Sequence, residues 1–275
     1  MNRPTKLFLF LLIWSAAFSF SLYGETSTPS SPETVRTAPL PRNEFSKSIE
    51  EISALVRQGS FLEARTRYQI LLKQNLSKED QGALEKDLET LNMKILFSKI
   101  ETPDSISYTV KSGDVLYLLA KKYHTTVELI QRSNQLKGEV IRPGMKLKIS
   151  KAAYSISVDK SDNRLKLFSD GTLLKTYSVA TGRNNSTPVG TFKITDKLIN
   201  PTWYKTGAVL PPGSPKNILG TRWLGFSLKS YGIHGTTLPE TIGKQASDGC
   251  VRMLNADVEE LYDILPANTP VTITD

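Results

Sequence analysis

The sequence predicts a multidomain protein of three parts: a short α-helical region, a small strand–helix–helix–strand (βααβ) module, and a β-rich, sandwich-like C-terminal domain. Three observations predict it. Apolar residues recur at helical spacing between residues 44 and 100. A short alternating run, two helical stretches and a second alternating run follow between 106 and 150. From Tyr154 onward the hydrophobic period falls to two. With 275 residues and 39% apolar composition, the chain can bury one sizeable core plus smaller ones.

The N-terminus bears on location. Arg3 and Lys6 precede a stretch without charge from Leu7 to Gly24, so residues 1–24 read as an export signal. The alternative is an uncleaved membrane anchor, because the apolar run lies at the short edge of what spans a bilayer. Either reading places the rest of the chain outside the cytoplasm, in the periplasm or the cell wall and envelope. Residues 25–43, rich in Ser, Thr and Pro, cannot bury enough surface to fold and read as a disordered tether.

In residues 44–100, Phe45, Ile49, Ile52 and Val56 share one helical face. Gly59 interrupts the pattern, and Ser60 with Glu63 forms a capping-box signature for a second helix through Leu72. Ser77 opens a third helix, with Leu84, Leu88, Leu91 and Ile95 along one side. The stretch "ALVRQGSFLEARTRYQILL" resembles a single tetratricopeptide-type unit, where stable arrays need about three. A helical spacer is the favoured reading, and a surface for a protein partner is the alternative.

Residues 106–150 run from "SYTV" through helices led by Leu116 and Thr126 to "KLKI" after Pro143-Gly144. The phrases "YTVKSGDVLYLLAKKYHTTVELIQRSN" and "IRPGMKLKI" resemble a LysM module. That resemblance implies binding to glycan containing N-acetylglucosamine. His124, in "KKYHTT", reads as a solvated loop residue.

Beyond this module, "YSISV", "RLKLF", "KTYSVA", "TFKIT" and "PVTIT" alternate as half-buried strands. "NADVEELYDIL" is the one clear helix, with Val258, Leu261 and Leu265 on one face.

Composition narrows the chemistry. The net charge of +8 suits anionic partners, but the basic residues form no run of the kind a nucleic-acid arm needs, so no nucleic-acid partner is expected. One cysteine cannot close an internal disulfide, and one cysteine with two distant histidines makes no zinc pattern. Neither a metal nor an organic cofactor is expected.

That cysteine, Cys250, stands sixteen positions after His234 in "YGIHGTTLPETIGKQASDGCVRM". A free thiol is only a few per cent thiolate at neutral pH, so a nucleophilic cysteine needs a base nearby, and imidazole can serve. "YGIHG" reads as a strand end, and Ser247-Asp248-Gly249-Cys250 as a tight turn. Such a turn can aim successive N–H groups at one point, as an acyl-transfer oxyanion requires. Chain order prunes the alternatives. Papain-like peptidases place cysteine before histidine, and no histidine follows Cys250. A serine triad would need a G-x-S-x-G elbow, which the chain lacks.

With "HG", "SDGCVRM" and "ADVEELYDIL" in this order, and "VATGRNNSTPVGTFKI", "NPTWY" and "LGTRWLGF" upstream, residues 153–274 resemble the L,D-transpeptidase (YkuD-type) catalytic domain. The resemblance implies Cys250 as acylated nucleophile, His234 as base and the backbone oxygen of Gly235 as orienter of the imidazole. It also implies N–H groups from Asp248, Gly249 and Cys250 as oxyanion hole, and Ser247 as a hydrogen-bonding member of the site. Arg252 would brace the turn or meet a substrate carboxylate. Trp203, Tyr204, Trp223 and Tyr231 are candidate groove residues, with core packing as the alternative. Many relatives carry His where this chain has Asp248, and a carboxylate there would raise the imidazolium pKa.

What the resemblance implies is an exported, cysteine-dependent peptidoglycan L,D-transpeptidase. It would act on glycan strands and tetrapeptide stems, release D-alanine and form 3→3 cross-links. The alternatives are an L,D-carboxypeptidase that uses water as acceptor, an enzyme linking protein to wall, and a non-catalytic wall-binding protein.

Overall fold

The computed structural model describes residues 39–275. The signal or anchor and most of the tether lie outside the described residues. The helical region comprises α1 (Arg42–Arg57), α2 (Phe61–Leu71) and α3 (Lys78–Leu96). Arg42 and Asn43, read from sequence as tether, already belong to α1. Asp80 draws the start of this helix in, because Arg42 pairs with its carboxylate at 2.6 Å. Phe45 and Ile52 of α1 bury against Ala64, Tyr68, Leu84 and Leu88 in a separate small core. Ser77 caps α3 by accepting the Asp80 N–H at 3.0 Å. Ser60 does not cap α2 in this way. Its ψ of 54° is not the extended value from which Oγ reaches the first turn, and Glu63 instead faces Arg67 at 3.6 Å. Among the described residues no helix is long and apolar enough to cross a membrane.

The βααβ module follows as β1 (Ser105–Thr109), α4 (Leu116–Lys122), α5 (Val127–Asn134) and β2 (Lys146–Ser150), with β1 and β2 antiparallel. Thr126 caps α5 through the Leu129 N–H at 2.9 Å. Asn134 locks α5 onto β2: its Oδ1 accepts the Lys148 N–H and its Nδ2 donates to the Lys148 carbonyl, each at 2.8 Å. His124 is exposed in the turn between the two helices.

The C-terminal domain contains β3 (Tyr154–Asp159), β4 (Arg164–Ser169), β5 (Thr172–Ser178), β6 (Thr181–Gly182), β7 (Gly190–Ile199), β8 (Trp203–Lys205), β9 (Ala208–Leu210), β10 (Arg222–Phe226), β11 (Gly232–His234), β12 (Gln245–Ser247), β13 (Val251–Arg252), α6 (Asn255–Ile264) and β14 (Pro270–Thr274). Eight strands form one mixed sheet in the order β13-β11-β10-β7-β14-β3-β4-β5. Within this sheet only β3–β14 and β11–β13 pair in parallel; β6 and β12 form a separate parallel pair. Period-two patterning explains the core. Ile156, Val158, Leu165, Leu167, Val271 and Ile273 point inward and share one core with Val258, Leu261 and Ile264 of α6 and with Leu265 just beyond it.

Polar ties join the three parts. Edge strand β5 is sealed by α3: Glu89 accepts the Thr176 N–H at 2.9 Å, and Asn92 donates to the Leu174 carbonyl at 3.2 Å. These side chains occupy backbone groups that an open edge would offer to another chain. Lys148 of β2 donates to the carbonyls of Ile95 and Ser98 at 2.8 and 3.0 Å, where the end of α3 leaves acceptors without helical partners. Burial pushes its pKa down to about 8, so the ammonium form still predominates at neutral pH. Arg132 of α5 pairs with Asp263 of α6 at 2.8 Å.

Candidate active site

The site is built where two strands run parallel at the end of the sheet. Ile233 is level with Val251, and His234 with Arg252. Cys250 stands one residue before β13. The period of two therefore puts its side chain on the same face as Arg252 and, across the pair, as His234. Sixteen positions of chain are spanned by a loop that returns through β12, which pairs with β6. Sequence reasoning anticipates a strand end and a tight turn, but not that the strand after the turn runs parallel.

His234 is 2% exposed. On β10 its cross-strand neighbour is Trp223, whose ring stacks on the imidazole with centroids 6.0 Å apart. Nδ1 lies 2.7 Å from the Gly235 carbonyl oxygen. A carbonyl only accepts, so Nδ1 carries the proton and the Nε2 lone pair is available as a base. Burial pushes the imidazolium pKa down to about 4. The Gly235 carbonyl opposes this shift, and the Arg252 guanidinium reinforces it. At neutral pH the ring is uncharged.

Burial likewise pushes the Cys250 thiol up from its ordinary value. The Gly232 backbone amide and the Arg252 cation pull it down, and the Asp248 carboxylate adds to the rise. Sγ is 3.7 Å from the Ser230 carbonyl oxygen, the reach of a weak S–H donor. At rest the thiol is therefore protonated and the imidazole neutral.

The turn before Cys250 is held from within. Ser247 Oγ donates to the Cys250 carbonyl at 2.6 Å and accepts the Gly249 N–H at 3.1 Å. That second bond commits one of the three N–H groups the sequence offers for an oxyanion hole. Gly249 has φ of 121°, and a Cβ there would stand 2.9 Å from the Tyr231 ring, so the turn needs glycine on both counts. Tyr231 is thereby placed beneath the turn, packed against the main core, and does not line the groove.

The expected effect of Asp248 on His234 is overturned. Asp248 is exposed, and its carboxylate pairs with Arg183, a residue that nothing in the sequence pattern singles out. The imidazole pKa falls because burial outweighs any carboxylate in the neighbourhood. Arg252 is 3% exposed. Its Nη1 donates to Thr241 Oγ1 at 3.0 Å, while Nε has no hydrogen-bond partner among the described residues. This bond ties the loop between His234 and Cys250 to β13.

A groove of about 310 Å³ leads to Cys250, walled by Trp203, Tyr204, Trp223 and Ser230 together with Leu198 and Leu219. Trp203 and Tyr204 lie on β8, whose antiparallel partner is β9. Tyr204 is 76% exposed, so its ring offers contact area to a bound chain rather than to the core. Among the described residues no group of three His, Cys, Asp or Glu side chains could hold a metal ion.

The Cys250 thiol lines an aromatic-walled groove at one end of the sheet, and a neutral imidazole stands on the strand paired with the one that follows it. Residues 153–273 match the L,D-transpeptidase catalytic domain and residues 108–150 the LysM domain. YqjB of Bacillus subtilis, which carries the L,D-transpeptidase name, is 43% identical over 126 residues, covering 44% of this chain and 70% of YqjB. YkuD of Bacillus licheniformis, named likewise, is 36% identical over 177 residues, 62% of this chain and 99% of its own length. Among solved structures, an L,D-transpeptidase from Mycobacterium smegmatis aligns with a TM-score of 0.40 at 18% identity, over 48% of this chain and 64% of that one. The chain thus spans a little under two thirds of that mycobacterial chain. The chain belongs to the L,D-transpeptidase family.

The electrostatics of the pair have a direct consequence. Cys250 is the chain's only cysteine, so its alkylation by iodoacetamide can be followed by mass. Because burial lifts the thiol above its ordinary value of 9.0, the rate should go on climbing with pH beyond about 9. A plateau reached by about pH 7 would show a preformed ion pair and contradict the geometry.

Proposed function

We propose that the protein is an exported peptidoglycan L,D-transpeptidase in which Cys250 is the nucleophile and His234 its base. One observation carries the reading: Nδ1–H of a buried, neutral His234 is spent on Gly235 O, which leaves Nε2 as a base on the face that also holds the thiol. Because thiol and imidazole are both neutral at rest, proton transfer accompanies attack. Nε2 takes the Sγ proton as Sγ bonds to the carbonyl carbon of the third residue of a tetrapeptide stem. The developing oxyanion is met by the N–H groups of Cys250 and Asp248, with Gly249 N–H holding Ser247 in place. The C–N bond then breaks. D-alanine leaves with the proton from the imidazolium, and a thioester remains. An acceptor amine attacks that thioester and gives its proton to Nε2. The sulfur leaves and is reprotonated, and a 3→3 cross-link has formed.

Arg252 supports the reading in two ways. Its bond to Thr241 braces the loop over the site, and its buried charge lowers the pKa of the thiol. The aromatic walls of Trp203, Tyr204 and Trp223 suit an extended peptide lying across the sheet end. Water in place of the amine gives an L,D-carboxypeptidase, and a protein amine gives a protein-to-wall linkage. The same site serves all three, and the groove selects among them.

The LysM module would hold the enzyme on glycan strands. Val115, Tyr117 and Leu118, where α4 begins, and Val140, before β2, are 49% to 80% exposed. An aromatic ring among aliphatic side chains suits the apolar faces of sugars. This supports work at the cell wall, as does the export signal read at residues 1–24. The helical region, sealed onto β5 and Lys148, acts as a packing partner for both modules.

The test of the catalytic reading uses protein from residue 25 onward, tetrapeptide-stem muropeptides and a carbapenem, with intact mass as readout. Wild type should form a covalent adduct, Cys250→Ala none, and His234→Ala should acylate about 100- to 10,000-fold more slowly. Dimeric products select transpeptidation, and tripeptide monomers select the carboxypeptidase. No adduct and no turnover in wild type would refute both. For the module, Tyr117→Ala combined with Val140→Ala should weaken retention on insoluble peptidoglycan about tenfold without changing thermal stability. Unchanged retention would remove this surface from the account.

A further inference from the structure

The geometry points to Asn255 as a positioning residue that holds His234 in its Nδ1–H form by clamping the peptide between Gly235 and Thr236. The inference rests on the catalytic reading above and extends it by one residue.

Asn255 is the first residue of α6, yet its side chain does not serve that helix. It reaches across to the ends of β10 and β11. Oδ1 accepts the Thr236 N–H at 3.0 Å and the Thr221 N–H at 3.3 Å, and Nδ2 donates to the Thr236 carbonyl at 3.0 Å. The Thr236 N–H and the Gly235 carbonyl are two ends of one planar peptide unit. The same unit therefore gives its N–H to Asn255 and takes the Nδ1–H of His234. Fixing one end fixes the other. A carbonyl free to rotate would leave the imidazole able to flip or to adopt the Nε2–H tautomer, which has no lone pair facing the thiol.

The surrounding backbone is shaped to admit this amide. A Cβ on Gly235 would collide with Asn255 Oδ1, and so would a Cβ on Gly220. Gly220 also has φ of 65°, in the region that favours glycine. Two glycines on different segments thus face one amide side chain in a space too narrow for any Cβ. The polarity of the chain of bonds also fits. Each N–H donated into an amide carbonyl strengthens the next bond in line, so Asn255 Oδ1 makes Gly235 O a better acceptor for a ring that turns cationic during catalysis. Asn255 touches no reacting atom. It acts only through the peptide.

The test is nitrogen-15 NMR of the His234 ring in the full chain at pH 7, wild type beside Asn255→Leu, with kcat and KM measured on the same samples. Wild type should show Nδ1 protonated and Nε2 bare. Asn255→Leu should show a mixed tautomer population and a kcat lowered about 10- to 100-fold, with KM within about threefold. An unchanged ring spectrum in a folded Asn255→Leu would overturn the inference, whatever the activity. Should Asn255→Leu not fold, Asn255→Asp keeps both acceptor bonds. It should retain the tautomer and move the acid limb of the pH–rate profile upward, because a carboxylate now lies one peptide from the imidazolium. An acid limb at the wild-type pH would overturn the inference. A second check is a double-mutant cycle. Gly235→Ala should cost far less in an Asn255→Ala background than alone, because the colliding oxygen is gone, and simple additivity would contradict the clamp. The ring spectrum needs no substrate. A wild type that fails to acylate but shows the expected tautomers would sink the proposed activity and leave this inference standing.

Discussion

The bond from His234 Nδ1 to the carbonyl of the next residue is the constraint on which the site depends. A carbonyl has no charge to lend. In a serine triad an ionised aspartate steadies the imidazolium, whereas here the orienting group is an uncharged dipole beside a buried ring. The ring accordingly stays neutral, with its pKa pushed down to about 4. A neutral ring cannot hold a thiolate beside it by charge, and burial leaves the thiol protonated as well. On the proposed reading, proton transfer and C–S bond formation go together, and geometry, more than a standing charge pair, would activate Cys250. The features around the pair serve that geometry. Trp223 stacks on the ring, parallel pairing sets the register of β11 and β13, and Ser247 closes the turn on itself.

Arg252 carries an opposing role. Its cation disfavours the imidazolium and favours the thiolate, so it eases loss of the thiol proton while making the ring a weaker base. The balance is tolerable because Arg252 is locked in place, with one nitrogen on Thr241 and its backbone bonded to Ala180. Its Nε is buried without an acceptor among the described residues.

The fold class was legible because period-two alternation and helical spacing are local properties. Ile156, Val158, Val271 and Ile273 point inward as their alternation requires, and share one core with Val258 and Leu261. The family was legible because its residues cluster in short phrases around Gly235 and Cys250. The remainder depends on distance in space. Asp248 was read as a neighbour of His234, but Arg183, sixty-five positions earlier, claims its carboxylate. Ser60 and Glu63 have the right spacing for a capping box, yet the backbone of Ser60 takes another conformation. Tyr231 adjoins the histidine in sequence and lies beneath the turn instead of in the groove. Leu198, which does line the groove, carries no local signal. Lys148, buried on the end of α3, looks in sequence like any other surface lysine of an alternating strand. Asn255 is hidden for the same reason, as an unremarked residue at the start of an amphipathic helix.

The state of the His234 ring decides between this description and an ion-pair site. A carbon-13 NMR pH titration of the imidazole, assigned with His124→Gln, measures it directly. The expected result is a neutral ring down to about pH 5, which charges only as the pH approaches about 4. A ring that charges at about pH 6.5 or above would contradict it, and would restore a thiolate–imidazolium pair as the resting state of the site.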